Sequence, residues 1–184
     1  MNLEIPFYSQ LNDEIPVEKQ RQLCGICCVK MILDFYEPEI KHEIQDLIRE
    51  AELIEAYDAK QDMWSHEGLV RIMRNHGVLA YNQEFRSVKV DLDSGEFLEN
   101  ENQKDLLQKG IEKIIFRIKK GYPVIASVKA NFGENIDNHL IVIKGFKKED
   151  EISLIINDPL GVPDTIVTLD YFLEFWRKFV IFTR

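Results

Sequence analysis

Residues 24–36 have the sequence CGICCVKMILDFY, which is apolar at nearly every position. A run that is apolar on all sides is typical of a helix buried at the centre of a domain. Pro38 limits this helix at its far end, because the residue before a proline avoids the helical conformation. The thiol of Cys24 therefore stands at the first position of a buried helix, where the helix N-terminus favours the anionic thiolate.

The size and charge of the chain narrow the classes of function. Its 184 residues predict a single domain, residues 1–184, large enough to bury a core without disulfides or metals. A hydrophobic content of 45% and a charged content of 30% describe an ordinary globular protein. The net charge of −9 argues against nucleic acid, which is bound by clustered Lys and Arg, and against anionic membrane surfaces. We therefore expect neither nucleic acid nor membrane as a partner.

The N-terminus and the cysteines predict a location. Residues 1–4 have neither the basic nor the apolar region of a signal peptide, and the longest apolar runs are too short to span a bilayer. Cys24, Cys27 and Cys28 lie too close together in the chain for a disulfide framework. Because free thiols suit a reducing compartment, we predict a cytoplasmic protein.

The order of predicted elements indicates an α+β fold. Amphipathic helices are predicted over residues 39–56 and 104–120, with a third helix that Ser65 caps and Gly77 ends. Strands are predicted at residues 78–85, 122–129, 139–146, 151–157, 165–169 and 179–183, with a short helix at 170–178. An order in which most helices precede most strands is typical of α+β proteins rather than of repeating βαβ units.

One predicted hairpin brings a histidine towards a carboxylate. Residues 147–150 are the polar cluster between two apolar strands, and a symmetric turn there places His139 opposite Asp158. Opposed residues share a face with Cβ atoms about 4.5–5.5 Å apart, so the carboxylate could bind one imidazole nitrogen and leave the other free. A register slip of one residue would place Asn157 there instead, and an asparagine can also orient a histidine.

Six motifs, in their order along the chain, resemble one known family. They are Ile5-Pro-Phe-Tyr-Ser-Gln10, Cys24-Gly25, Gly121-Tyr-Pro-Val-Ile125, Asn138-His-Leu-Ile-Val142 followed by Gly145, Asn157-Asp-Pro159, and the closing helix Leu169–Trp176. In this order they resemble the papain-like cysteine peptidases related to the bacteriocin-processing (double-glycine leader) peptidases. The resemblance spans nearly the whole chain. It implies a helical N-terminal half whose central Cys-bearing helix packs on a C-terminal antiparallel sheet.

The same resemblance implies a role for each site residue. Cys24 would be the nucleophile, His139 the general base and acid, and Asp158 the group that orients the imidazole. Gln10 would donate to the oxyanion beside the Cys24 backbone N–H, with Gln20 and Gln22 as rivals for that role. The substrate would be a peptide or another acyl compound, and we expect no cofactor and no metal.

Several alternatives stay open at this point. The same triad also serves acyl transfer and thioester cleavage, and a non-catalytic relative could bind a peptide or protein partner. Cys24 and Cys27 form a Cys-x-x-Cys pair, but residues 17–23 lack the strand that precedes redox motifs of this kind. The cysteines and histidines match no common zinc spacing. Residues 91–95 depart from a calcium loop in the position of the glycine, so we interpret them as part of an acidic surface loop.

Overall fold

The computed structural model describes residues 1–11, 20, 23–58, 63–90, 94, 97–99, 102–129 and 138–184. The helices are α1 (Cys24–Tyr36), α2 (Ile44–Leu53), α3 (His66–Asn75), α4 (Gln103–Lys119) and α5 (Leu169–Phe175). The strands are β1 (Tyr57–Asp58), β2 (Met63–Trp64), β3 (Ala80–Glu84), β4 (Val88–Val90), β5 (Phe97–Glu99), β6 (Val124–Lys129), β7 (Asn138–Lys148), β8 (Ile152–Asn157), β9 (Thr165–Thr168) and β10 (Trp176–Thr183). Gln22 and most of the fragment 91–95 lie outside the described residues.

Six strands form one antiparallel sheet in the order β3-β10-β6-β7-β8-β9. The other strands make two short antiparallel pairs, β1 with β2 and β4 with β5. The predicted α+β fold, with a Cys-bearing helix packed on a C-terminal sheet, is confirmed. The edge strand β3 comes from the N-terminal half and pairs with the last strand, so the two halves of the chain share the sheet.

The central strands are buried on both faces because their residues alternate between two apolar clusters. Leu140 and Val142 of β7 belong to the cluster formed with α1, α2 and α3. Ile141 and Ile143 belong to the cluster on the opposite face, where α4 and α5 pack. Strand side chains alternate in this way with a period of two, so the sheet is covered by helices on both sides. Within the described residues, every helix is too short or too polar to cross a lipid bilayer.

Helix α2 begins later than its sequence pattern predicts. The pattern starts at residue 39, whereas the helix starts at Ile44. His42, which falls inside the predicted range 39–56, instead lies before the helix and is only 5% exposed. Its Nδ1 is 2.8 Å from Oδ1 of Asp34 in α1, and Lys30 Nζ donates to the His42 carbonyl. These contacts hold the segment against α1, so tertiary packing overrides local helical periodicity.

The predicted register of the β7–β8 hairpin is wrong. The strands pair as far as Lys148 with Ile152, so the turn occupies residues 149–151 rather than 147–150. The register then shifts between Ile143 and Gly145, which makes Lys144 the extra residue of a β-bulge. His139 therefore does not lie directly opposite Asp158.

The N-terminal segment, residues 1–11, is hydrogen-bonded to β7 next to this bulge. Leu3 N donates to the Lys144 carbonyl at 3.0 Å, and Phe146 N donates to the Met1 carbonyl at 2.9 Å. The Lys144 side chain is buried and pairs with Asp164 at 2.9 Å. The backbone groups on both sides of Gly145 are thus bonded to the N-terminal segment, and these bonds satisfy them next to the bulge.

The bulge decides which side chain reaches the histidine. Beyond it, Val142 pairs with Asn157, so the next residue, Asp158, lies beside Ile141. Because alternate residues share a face, Asp158 is on the same face as His139 and diagonally displaced from it. Without the bulge, Asn157 would have been the residue on that face.

Candidate active site

Cys24 is the first residue of α1 and is 4% exposed. The backbone N–H groups of a first helical turn have no carbonyl partner within the helix. The next residue must be glycine, because an ideal Cβ on Gly25 would lie 2.7 Å from Cγ of Trp64. The indole of Trp64 therefore covers the backbone beside the thiol, which explains the Cys-Gly pair.

His139 and Asp158 are bonded to each other at the ends of adjacent strands. Nε2 of His139 lies 2.6 Å from Oδ1 of Asp158, and the residues are 2% and 8% exposed. The Leu160 N–H donates to the same carboxylate oxygen at 2.9 Å, and the Gly161 N–H donates to the Asp158 carbonyl at 2.9 Å. These two hydrogen bonds form a turn that holds the Asp158 carboxylate in position to accept from the imidazole.

The imidazole of His139 also lies close enough to Cys24 for the thiol to help raise the pKa of the ring. Because Asp158 occupies Nε2, Nδ1 is the ring nitrogen left for the sulfur. The structure thus brings together three of the side chains singled out in the sequence, Cys24, His139 and Asp158. They come from the start of α1, the start of β7 and the end of β8.

The environment of His139 favours its charged form. Burial lowers the pKa of His139, but hydrogen bonds from the ring to Asp158 and Cys24 raise it, and the result is a pKa of about 9. The imidazolium is therefore the main form of this side chain at neutral pH.

Cys27 and Cys28 differ from Cys24 in their surroundings. Both have no exposed surface, and the Cys28 thiol donates to the Leu140 carbonyl at 3.3 Å. Burial raises the pKa of Cys27 to about 12 and raises that of Cys28 well above its usual range. These two thiols stay protonated and pack as small apolar side chains.

Gln10 lies between the segments that carry Asp158 and Cys24. It is 1% exposed, and its backbone N–H donates to the Pro159 carbonyl at 2.9 Å. Its side-chain Nε2 donates at 2.9 Å to the carbonyl of Gln20, which also accepts from the N–H of Leu23. Within the part of the chain that the structure describes, Gln10 Oε1 is buried without a hydrogen-bond partner. Of the rival glutamines, Gln20 holds the Gln10 amide through its main chain.

Asn157, the alternative partner of the histidine, is bonded elsewhere. Its Nδ2 lies 3.4 Å from the Ile5 carbonyl, and its Oδ1 accepts from the Asp164 N–H at 3.2 Å. Asn157 is fully buried and braces the N-terminal segment against the end of β8. Asp158, not Asn157, is the hydrogen-bond partner of His139.

A model of the Peptidase C39-like family matches residues 2–180. The chain belongs to the Peptidase C39-like family. The resemblance to bacteriocin-processing peptidases is confirmed. A search of curated proteins finds no match to this member of the family.

Two solved structures share the fold of this C39-like chain. One is a double-glycine-motif protease from an AMS/PCAT transporter in complex with the leader peptide. Its sequence is 14% identical to this chain, the TM-score is 0.57, and the match covers 99% of this chain and 92% of that protease chain. The other is a protein from Bacillus anthracis described as a C39-like peptidase, with 15% identity and a TM-score of 0.61 over 98% and 95%. At these identities the likeness shows the fold alone.

Two features near the thiol of this C39-like chain have no clear local signal in the sequence. The ring of Trp64 packs over Gly25, and a glycine at the helix start is a weak sign of such a contact. His66, in the first turn of α3, stacks on Phe179 with ring centroids 4.6 Å apart. No local pattern links those two residues. Among the described residues, no cluster of His, Cys, Asp and Glu side chains could hold a metal ion.

Proposed function

We propose that this single-domain chain is a cysteine peptidase or related amide hydrolase with a Cys24-His139-Asp158 triad. One observation carries the proposal: His139 is hydrogen-bonded to Asp158 at 2.6 Å and lies close enough to Cys24 to interact with its thiol. A nucleophile, a base and a third group that orients the base form the pattern by which such sites are recognised. Membership of a peptidase-like family supports the same chemistry.

In the first step, the Cys24 thiolate attacks the carbonyl carbon of the substrate. A carbon–sulfur bond forms, and the carbonyl electron pair moves onto oxygen. The Cys24 N–H, in the first turn of α1, would donate to that oxyanion. One N–H of the Gln10 amide is used by the Gln20 carbonyl, which leaves the second for the same oxyanion. Such donors act on charge that develops only in the transition state.

The imidazolium of His139 then gives its Nδ1 proton to the leaving amine as the carbon–nitrogen bond breaks. The acyl group stays on Cys24 as a thioester. His139 next takes a proton from water as the water oxygen attacks the thioester carbon. The carbon–sulfur bond then breaks, the acid leaves, and the Cys24 thiolate is regenerated beside the imidazolium. Asp158 holds Nε2 throughout, so that Nδ1 keeps facing the sulfur.

We propose a peptide as the substrate. The transporter protease of the same fold was solved with a leader peptide bound, and an extended peptide suits a nucleophile at a helix start. The three free cysteines of the described chain support a reducing, cytoplasmic setting.

Hydrolysis in H₂¹⁸O tests the proposal and separates it from acyl transfer. The protein is incubated with a proteolytic digest of a whole proteome, and products are identified by mass spectrometry. We expect new C-termini that carry ¹⁸O with the wild type and none with Cys24→Ala. Products joined to an amine or thiol acceptor would assign acyl transfer instead. Identical product mixtures from the two proteins would contradict the proposed function.

A further inference from the structure

Arg177 lies at an irregularity of the strand that flanks the site. The register of β10 against β6 shifts between Trp176 and Phe179, so Arg177 falls in a bulge. The following residue, Lys178, has φ of +67°, a left-handed conformation that turns the chain sharply there. The guanidinium is half-buried, and its Nη1 donates to Oγ of Ser127 at 3.4 Å.

Strand pairing brings the backbone of Arg177 near the backbone of His139. Ser127 of β6 pairs with Leu140 of β7, the residue after His139, and Val128 pairs with His139 itself. Because neighbouring strands are about 4.8 Å apart, Arg177 lies within two strand spacings, about 10 Å, of the His139 backbone.

A second link leads from Arg177 to the start of α1. Phe179 pairs with Ser127, and its ring stacks on the imidazole of His66 at an interplanar angle of 4°. His66 follows Trp64, whose indole covers Gly25, by two positions. We call the group Arg177, Ser127, His66 and Phe179 the Arg177 cluster.

The charge of Arg177 is not balanced within the described residues. No carboxylate there lies within ion-pair distance of it, whereas the neighbouring Arg86 pairs with Glu84 at 3.3 Å. Burial and the charge of Arg86 lower the pKa of Arg177. Burial and the charge of Arg177 lower the pKa of His66 to about 4, so His66 is neutral at neutral pH. A partly desolvated cation without a counter-ion is costly, and an incoming anion offsets that cost.

The geometry points to the Arg177 cluster as a subsite for a carboxylate of the peptide substrate, an inference that rests on the proposed function. The guanidinium presents a fork of donors that fits a carboxylate. The stacked rings of His66 and Phe179 form a flat wall beside it. An extended peptide advances about 3.3 Å per residue, so we expect the carboxylate within a few residues of the carbonyl under attack. It is either an acidic side chain or the C-terminal carboxylate of the peptide.

The test measures how fast Cys24 is labelled by peptides with a Michael-acceptor group in the backbone and residues on both sides of it. One series exchanges Glu for Gln at each position in turn, and a second compares a free with an amidated C-terminus. In the wild type we expect one carboxylate, at one position, to raise the labelling rate about tenfold, the scale of one charge-assisted hydrogen bond. The series in which the effect occurs identifies the source of the carboxylate.

Two variants assign that effect to Arg177. Arg177→Gln should bring the Glu/Gln rate ratio, or the acid/amide ratio, to about one. Arg71→Gln removes the same charge from an exposed position of α3 outside the Arg177 cluster and should preserve the ratio.

The outcomes separate this inference from the proposed function. Cys24 labelling that is equal for acidic and neutral probes in the wild type would overturn the carboxylate subsite alone, even if Arg177→Gln failed to fold. A preference that persists in Arg177→Gln would do the same. A Cys24 that reacts with none of the probes would overturn both.

Discussion

The Nε2 atom of His139 and the Oδ1 atom of Asp158 lie 2.6 Å apart, although the two residues are not opposed in the sheet. Asp158 reaches the imidazole diagonally from beside Ile141, on the face that the Lys144 bulge assigns to it. Diagonal neighbours in a sheet are about 7–8 Å apart, a distance that a histidine and an aspartate can bridge together. The hydrogen bond therefore depends on a backbone irregularity distant from the thiol.

Replacing Asp158 by asparagine should slow acylation of Cys24, because the amide does not hold the imidazolium in place by charge. We expect the rate of substrate or probe acylation to fall at least tenfold, while His139→Ala abolishes it. Asp164→Asn is the matched control, since it makes the same change at a carboxylate that pairs with Lys144 instead. An Asp158→Asn variant with the wild-type rate would remove the orienting role from Asp158.

The pH dependence of acylation should report on His139. Since its pKa is raised to about 9, the imidazolium that protonates the leaving amine is present at neutral pH and is lost as the pH rises through about 9. We expect the acylation rate measured with an amide substrate to fall above that pH, and Asp158→Asn to move the fall to lower pH. A fall near pH 6.5 in the wild type would show that His139 is not stabilised as an imidazolium.

The same shift predicts a change in stability. The contribution from protonated His139 is full below the unfolded-state pKa of about 6.5 and is lost as the pH rises through about 9. The free energy of unfolding, measured by urea titration, should therefore decline between pH 7 and pH 10 more in the wild type than in His139→Gln. Parallel declines in the two proteins would contradict this.

Local sequence signals predict part of this structure. The apolar run after Cys24 predicted α1, and the Ser65 cap predicted the start of α3, because both signals are local; Ser65 Oγ accepts from the Gly68 N–H at 3.2 Å. The hairpin register was not accessible in this way. The bulge at Lys144 is bonded to Met1 and Leu3, and contacts between such distant parts of the chain leave no local pattern.

Long-range contacts also determine other features that local sequence patterns do not predict. The late start of α2 depends on the bond between His42 and Asp34, and the position of Gln10 depends on the carbonyls of Pro159 and Gln20. Residue types alone suggested which side chains could act, but only the packing determined which of them meet.

Gln10 can be separated from its rivals by substitution. If its amide stabilises the oxyanion, Gln10→Ala should lower the acylation rate about 10²–10³-fold, the usual cost of one such donor. Gln20→Ala keeps the carbonyl that holds Gln10 and should retain most of the rate. The opposite ranking of the two variants would transfer the oxyanion role to Gln20.

The order of reactivity among the three thiols tests the central claim, that Cys24 is activated by His139. One equivalent of iodoacetamide is added near neutral pH, and the modified residues are mapped by mass spectrometry. We expect Cys24 to be alkylated selectively, because paired thiolates react first and burial keeps the Cys27 and Cys28 thiols protonated. His139→Ala should remove the selectivity. Slow and equal alkylation of all three cysteines, or a Cys24 rate unaffected by His139→Ala, would contradict the claim.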